Sequence, residues 1–157
     1  MSDLIPVESI ERKIFVIKGQ KVMIDRDLAE FYGVETKYLN RQVNRNIGRF
    51  PAEFMFRLTR DEKIELVTNW HRFRRLKHSS SLPFVFTEHG VAMLASVLKG
   101  EKAAKVSIYI VKAFISLRRL LSSHKYLGEK LNQLARKVTR HDTEIQDLVK
   151  LIKKMIE

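Results

Sequence analysis

The chain has 157 residues, an ordinary apolar content and a formal net charge of +12, enough for one compact domain plus an extension. No run approaches the ~18 apolar residues of a membrane span, and Met1-Ser2-Asp3-Leu4-Ile5-Pro6 lacks the basic start and apolar stretch of a signal peptide. With no cysteine there are no disulfides and no thiolate metal sites, so the expectation is a soluble cytoplasmic protein without a membrane partner.

Lys13-Ile14-Phe15-Val16-Ile17 and Lys21-Val22-Met23-Ile24 flank Lys18-Gly19-Gln20 and predict a β-hairpin with glycine at the turn. Asp25 is the expected N-cap of a helix running from Arg26 to Tyr32 and stopping at Gly33. Thr36 is the expected cap of a second helix that reaches about Arg45 or Asn46, with Gly48 and Pro51 preventing continuation. Residues 54–58 predict a strand, and Thr59-Arg60-Asp61-Glu62 has the capping-box spacing that starts a helix through about Val67. Residues 68–82 read as a loop or a poorly ordered hairpin. A short apolar strand follows at 83–86. Thr87 then caps a helix with Val91, Leu94, Ala95 and Leu98 on one face, ending at Gly100, and residues 101–122 form a longer helix. The expected class is α+β: a small domain over 1–122 with an N-terminal β-hairpin, a helix-turn-helix and further short strands and helices, followed by a C-terminal coiled-coil helix over 127–157.

That last segment differs in kind. Leu127, Leu131, Leu134, Val138, His141, Ile145, Leu148, Ile152 and Met155 recur at alternating spacings of 4 and 3. Mostly β-branched residues at a (with Leu131) and mostly Leu at d favour a parallel two-stranded coil, so a homodimer is expected, with Lys137 facing Asp142 of the partner helix. His141 would be a register-setting polar residue, and Gly128 would mark a break between domain and coil. Val149, Leu151 and Ile156 widen the stripe, leaving higher oligomers or a further packing partner open. The alternative is an amphipathic helix folding back on its own domain.

Charge locates the function. Residues 1–35 carry five basic and seven acidic side chains, residues 36–78 eleven and four, and the remainder fourteen and seven. Such a basic centre concentrates polyanions. Within it, residues 25–45 have the packing positions of a helix-turn-helix: small Ala29 where two helices cross, Gly33 in the turn four residues later, Val34 after it, and Leu28, Leu39 and Val43 as the buried stripe. The outer face then carries Lys37, Asn40, Arg41, Asn44 and Arg45, with Tyr38 at its margin and no acid between Thr36 and Asn46. Arginine grips the O6 and N7 edge of guanine and asparagine the N6 and N7 edge of adenine, so these are candidate readers of double-stranded DNA, with Lys37 on the backbone.

A second candidate surface is Trp70-His71-Arg72-Phe73-Arg74-Arg75-Leu76-Lys77-His78, whose interleaved arginines and aromatics suit phosphate contact and stacking. Arg72, Arg74 and Arg75 could belong to an arm that orders on DNA, or Trp70 and Phe73 could be buried with the arginines solvated. Arg49, Arg57 and Arg60 are phosphate contacts or surface charges. No phosphate loop, His-Glu-x-x-His or carboxylate pair is present, and Glu88-His89 reads as a helix start, so no catalytic site, metal or cofactor is expected.

The run Ile24-Asp25-Arg26-Asp27-Leu28-Ala29-Glu30-Phe31-Tyr32-Gly33-Val34, then Leu39 to Asn46 and Arg49-Phe50-Pro51, resembles the phage open-reading-frame-six N-terminal domain, related to the KilA-N and Bro-N groups of antirepressor-like proteins. Leu82 to Leu94 and Ala113-Phe114 extend the likeness to roughly residues 10–120. The resemblance implies a small α+β DNA-binding domain of phage or prophage origin that regulates phage or host genes. The expected function is therefore sequence-specific duplex binding in transcriptional regulation. The alternatives are an antirepressor that inactivates a repressor protein through the coil, and a basic RNA-binding module.

Overall fold

The computed structural model describes residues 5–138 and 143–156, with side chains described at 5–136 and 147–156. The chain divides into two compact units, Met1–Phe114 and Ile115–Glu157.

The first unit is α+β, as the sequence predicts. A short helix α1 (Val7–Glu11), which sequence reading missed, precedes the hairpin β1 (Phe15–Ile17) and β2 (Gln20–Ile24). The hairpin closes at the pair Ile17 and Gln20, leaving Lys18 (φ 54°) and Gly19 (φ 73°) as a two-residue turn. Positive φ at both positions matches the right-handed twist of the flanking strands. After β2 come α2 (Asp25–Tyr32), α3 (Thr36–Arg45), a 3-10 turn Ile47–Arg49, β3 (Met55–Arg57) and α4 (Arg60–Asn69). A 3-10 helix His71–His78, β4 (Phe84–Phe86), α5 (Glu88–Leu98) and α6 (Glu101–Val138) complete the series before α7 (Thr143–Ile156). The capping box is complete: the Glu62 amide donates to Thr59 Oγ1 and the Thr59 amide to Glu62 Oε1. Two expected caps move by one residue, since Ile24 and Glu35 are the N-caps and Asp25 and Thr36 open the helices.

The strands form one antiparallel sheet in the order β1-β2-β4-β3, with Ile24 opposite Val85 and Met55 opposite Phe86. Strand alternation divides its side chains between two faces. Phe15, Ile17, Val22, Ile24 and Val85 share one face with Leu58 and with Leu66 of α4 and Phe73 and Leu76 of the 3-10 helix. Met23 and Phe86 point the other way and are fully buried, with Phe86 edge-on to Phe50 at 6.0 Å. On that side α2 packs on β2 and β4, α3 on α2 and α5, and α5 on β4. The sheet therefore separates α4 and the 3-10 helix from the helix pair α2–α3.

The expected loop at 68–82 is thus corrected. In a 3-10 helix residues three apart are eclipsed, so Phe73 and Leu76 form one buried ridge on the sheet. α5 is seated by Thr87, which accepts from the Gly90 amide at 3.3 Å and donates to the Glu53 carbonyl at 2.8 Å. A Cβ at Gly90 would lie 2.0 Å from the Phe54 carbonyl oxygen, so this crossing requires glycine. Ile110, Ala113 and Phe114 of α6 are buried in this unit. The Tyr32 hydroxyl meets Ser107 Oγ at 2.5 Å, and burial pushes the phenol up to about 12.

The second unit is helical throughout its described residues, as expected of the C-terminal segment. α6 continues through Gly128 to Val138, so Gly128 is no break, and α7 covers Thr143–Ile156. The Lys153 ammonium of α7 donates to Asn132 of α6, residues that one straight helix would hold about 31 Å apart. The chain turns back on itself. The physical reason is the widened stripe: Val149 is buried, and Lys153 and Ile156 line a crevice with Leu121, His124 and Asn132. Of the expected coil positions, Leu127, Leu134, Leu148, Ile152 and Met155 are exposed and Leu131 half-buried, while the side chains of Val138, His141 and Ile145 lie outside the described residues, as do Lys137 and Asp142.

Candidate nucleic-acid interface

Two short helices and a tight turn build the site. α2 ends at Gly33, whose left-handed conformation (φ 71°, ψ 32°) lets its own amide reach the Glu30 carbonyl at 3.1 Å and the Val34 amide reach Ala29 at 3.0 Å. These bonds satisfy carbonyls that the helix end would leave unpaired. Leu28 and Ala29 of α2 and Leu39 and Val43 of α3 are buried at the crossing, which fixes the rotation of α3 about its axis.

That rotation decides what α3 presents. At 100° per residue, Lys37, Tyr38, Arg41, Asn44 and Arg45 fall within an arc of about 120° opposite the buried stripe, and all five are exposed. None of the three cations forms an ion pair among the described residues. The face offers paired donors on Arg41 and Arg45, a donor and acceptor on Asn44, and a flexible cation at its start.

Asn40 is the correction. It lies at the edge of the arc and its side chain turns inward, Nδ2 donating to Asp25 Oδ2 at 3.0 Å. Its Oδ1 is buried without a partner. Asp25 is itself buried and accepts from the Arg26 amide at 2.7 Å and the Phe84 amide at 3.4 Å. Burial drives its carboxyl above the usual carboxylate range, against the lowering effect of the Asn40, Phe84 and Arg26 hydrogen bonds. Asn40 thus fastens α3 to the start of α2 and, through Asp25, to β4.

The other sequence candidates separate. Arg49 closes the 3-10 turn after α3 and stays exposed, with Nη1 3.4 Å from Ser96 Oγ of α5. Arg72 is not free for phosphate: it is ion-paired with buried Asp27, sits over the Phe73 ring at 4.1 Å, and has the Lys13 carbonyl 3.4 Å away. Arg74 and Arg75 are exposed, but their helix packs on the sheet face opposite α2 and α3. Phe73 is buried, whereas Trp70 is exposed with its ring 6.2 Å from Phe15. His89 stacks on Phe54 at 5.7 Å and serves packing.

Two lysines were missed. Lys99 and Lys102, from the corner between α5 and α6, line a cleft of about 600 Å³ together with Tyr38 and Arg41. The Lys102 ammonium lies 2.6 Å from where a Gly33 Cβ would be, beside the turn itself. No motif marks them, because their place depends on α5 and α6 folding back onto the α2–α3 turn.

The model of the ORF6N domain matches residues 12–97, more than half of the chain. The chain belongs to the ORF6N family. ORF6N is a phage-associated family, and membership is consistent with a DNA-binding regulatory role. The ORF6N match takes in the whole sheet, the α2–α3 pair and all but the last residue of α5, and it ends before the likeness expected to extend to about residue 120. No curated protein and no solved structure matched the chain. Among the described residues no helix is long and apolar enough to cross a membrane.

Proposed function

We propose that this ORF6N protein reads duplex DNA in a sequence-specific manner through α3 and acts in transcriptional regulation. The observation that carries the reading is the exposed arc Lys37, Tyr38, Arg41, Asn44 and Arg45 on a helix whose rotation is fixed by a buried crossing. In a helix-turn-helix the second helix enters the major groove. Arg41, Asn44 and Arg45 then meet base edges, while Lys37, Arg49, Lys99 and Lys102 serve the phosphates. Asn40 is not among the readers. Selection of bound sequences from a random duplex pool tests this directly. An Arg41→Ala, Asn44→Ala double variant loses about 1–3 kcal/mol of discrimination for each bidentate pair removed. A pool that enriches no sequence ends the proposal.

The second unit supports self-association. Leu134, Leu148, Leu151 and Met155 are 51, 55, 56 and 79% exposed, more apolar surface than one copy covers. A second copy meeting that stripe would pair two α3 helices for half-sites about 34 Å apart or a multiple of that. The same exposure favours the alternative reading, an antirepressor whose partner is a repressor protein. Salt separates them: binding carried by phosphate contacts weakens steeply as salt rises, whereas an apolar protein interface persists.

A further inference from the structure

On the sheet face opposite α3, α4 and the 3-10 helix His71–His78 enclose a groove of about 870 Å³. Its chemistry follows from two helical periods. On the 3-10 helix, residues three apart form ridges. Phe73 and Leu76 make the buried one, and His71, Arg74 and Lys77 make a polar ridge with two cations, Arg74 and Lys77, facing the groove. On α4, Arg60, Lys63, Ile64, Val67 and Thr68 share an arc of about 140° at 100° per residue, while Asp61, Glu62 and Glu65 occupy the remainder. The first five line the groove and the three acids do not. Glu62 is occupied elsewhere, with Lys18 at 3.3 Å.

The result is a concave site with cations on both walls and no carboxylate lining it. Arg60, Lys63, Arg74 and Lys77 form no ion pair among the described residues. Lys63 is buried and donates to the Ser79 and Ser81 carbonyls, the latter at 3.1 Å, which pins the serine segment as one side of the groove and leaves its charge uncompensated there. Ile64, 58% exposed, and Val67 and Leu82 supply an apolar strip between the cations, and Thr68, Asn69 and Ser80 supply hydrogen-bonding groups.

Inorganic phosphate would fill a small part of this volume and leave the apolar strip uncovered. A ligand with a phosphate at one end and a flat apolar face at the other satisfies both. The bases of a duplex turn their faces to one another, not outward, whereas a lone or single-stranded nucleotide offers its face for stacking or apolar contact. We propose that the groove binds a nucleotide unit, free or within a single strand, its phosphate on Arg60, Arg74 and Lys77 and its base along Ile64, Val67 and Leu82. This site is separate from α3, so it stands or falls independently of duplex reading.

The test uses the full chain, with AMP, a labelled oligothymidylate and inorganic phosphate as probes, by calorimetry and fluorescence anisotropy. AMP binding assigns the groove to the free nucleotide, and oligothymidylate binding without AMP binding assigns it to a strand. An Arg74→Glu, Lys77→Glu double variant, altered only at exposed positions, weakens the bound probe by at least roughly tenfold and flattens the single-strand salt slope by about 0.7, the share of the one phosphate these cations hold. Ile64→Glu, which sets a carboxylate among the cations, weakens it independently, and matched thermal melts show that both variants fold. Arg41→Ala with Asn44→Ala leaves the groove affinity unchanged. Failure of both AMP and oligothymidylate to bind, indifference to the groove variants, or inorganic phosphate competing as well as AMP would each overturn the assignment.

Discussion

The two units of this chain treat the same raw material differently. In Met1–Phe114 the periodic apolar residues are consumed by packing: Leu28, Leu39, Leu66 and Leu94 are fully buried. In Ile115–Glu157 an equally regular stripe leaves Leu127, Leu134, Leu148 and Leu151 about half exposed, and among the described residues there Val149 is the buried apolar one. Regular spacing alone does not distinguish a core from an interface. What distinguishes them is whether the same chain offers a second apolar surface at the right place, as the sheet does for α2 and α4, and as α6 does for only one side of α7.

Stability measurements sharpen that contrast. Leu39→Ala removes a side chain enclosed at the α2–α3 crossing and is expected to cost about 2–5 kcal/mol in chemical denaturation. Leu148→Ser, at an exposed position of α7, is expected to change the same quantity by less than about 0.5 kcal/mol, while lowering the self-associated fraction in sedimentation. If Leu148→Ser destabilises the dilute protein as strongly as Leu39→Ala, the stripe is core and the comparison fails. Arg72→Ala comes next. It strips buried Asp27 of its closest partner, leaving Lys13 at 4.0 Å, and is expected to cost about 1–3 kcal/mol. A loss within error would mean that Arg72 is available for phosphate after all. Gly33→Ala follows at about 1–2 kcal/mol, the penalty of the left-handed conformation for a residue with a Cβ. The Lys102 ammonium in its way is the free end of a flexible side chain and can move.

The sequence was most informative where the determinants are local. The Lys18-Gly19 turn, the Thr59–Glu62 box, Gly33 and the buried pair Leu39 and Val43 each depend on neighbours within one or two turns of chain, and all were legible. The 3-10 helix His71–His78 was not, because its buried ridge has a period of three, which matches neither the strand nor the α-helical pattern and takes shape only against Phe15 of β1, 5.3 Å from Phe73. The site divided along the same line. Lys37, Arg41, Asn44 and Arg45 followed from the helical period once the inward stripe was known. Asn40, one step from that face, is withdrawn by Asp25 fifteen residues earlier, and Lys99 and Lys102 arrive from a corner more than sixty residues downstream of Lys37. Such long-range pairings carry no signature in local spacing.

The pairing of Asp25 with Asn40 offers the finest test, because its effect depends on pH. Burial raises the Asp25 carboxyl in the folded chain above the 3.8 of an unburied aspartate. Between that value and the raised one, the folded state binds the proton that the unfolded state does not, so acidification through this window favours folding at this site. Above the window the ionised carboxylate is held at a cost, set partly against the hydrogen bonds from Arg26, Asn40 and Phe84. An Asp25→Asn variant keeps an acceptor near these donors but cannot take up the proton. All other carboxylates titrate in both proteins, so the difference between their stabilities isolates Asp25. As pH falls from 7 towards 3.8, that difference is expected to move in favour of the native chain, read as a relative shift of denaturation midpoints. A difference that stays flat would place Asp25 outside the buried pairing, and Asn40 would then return to the exposed face of α3.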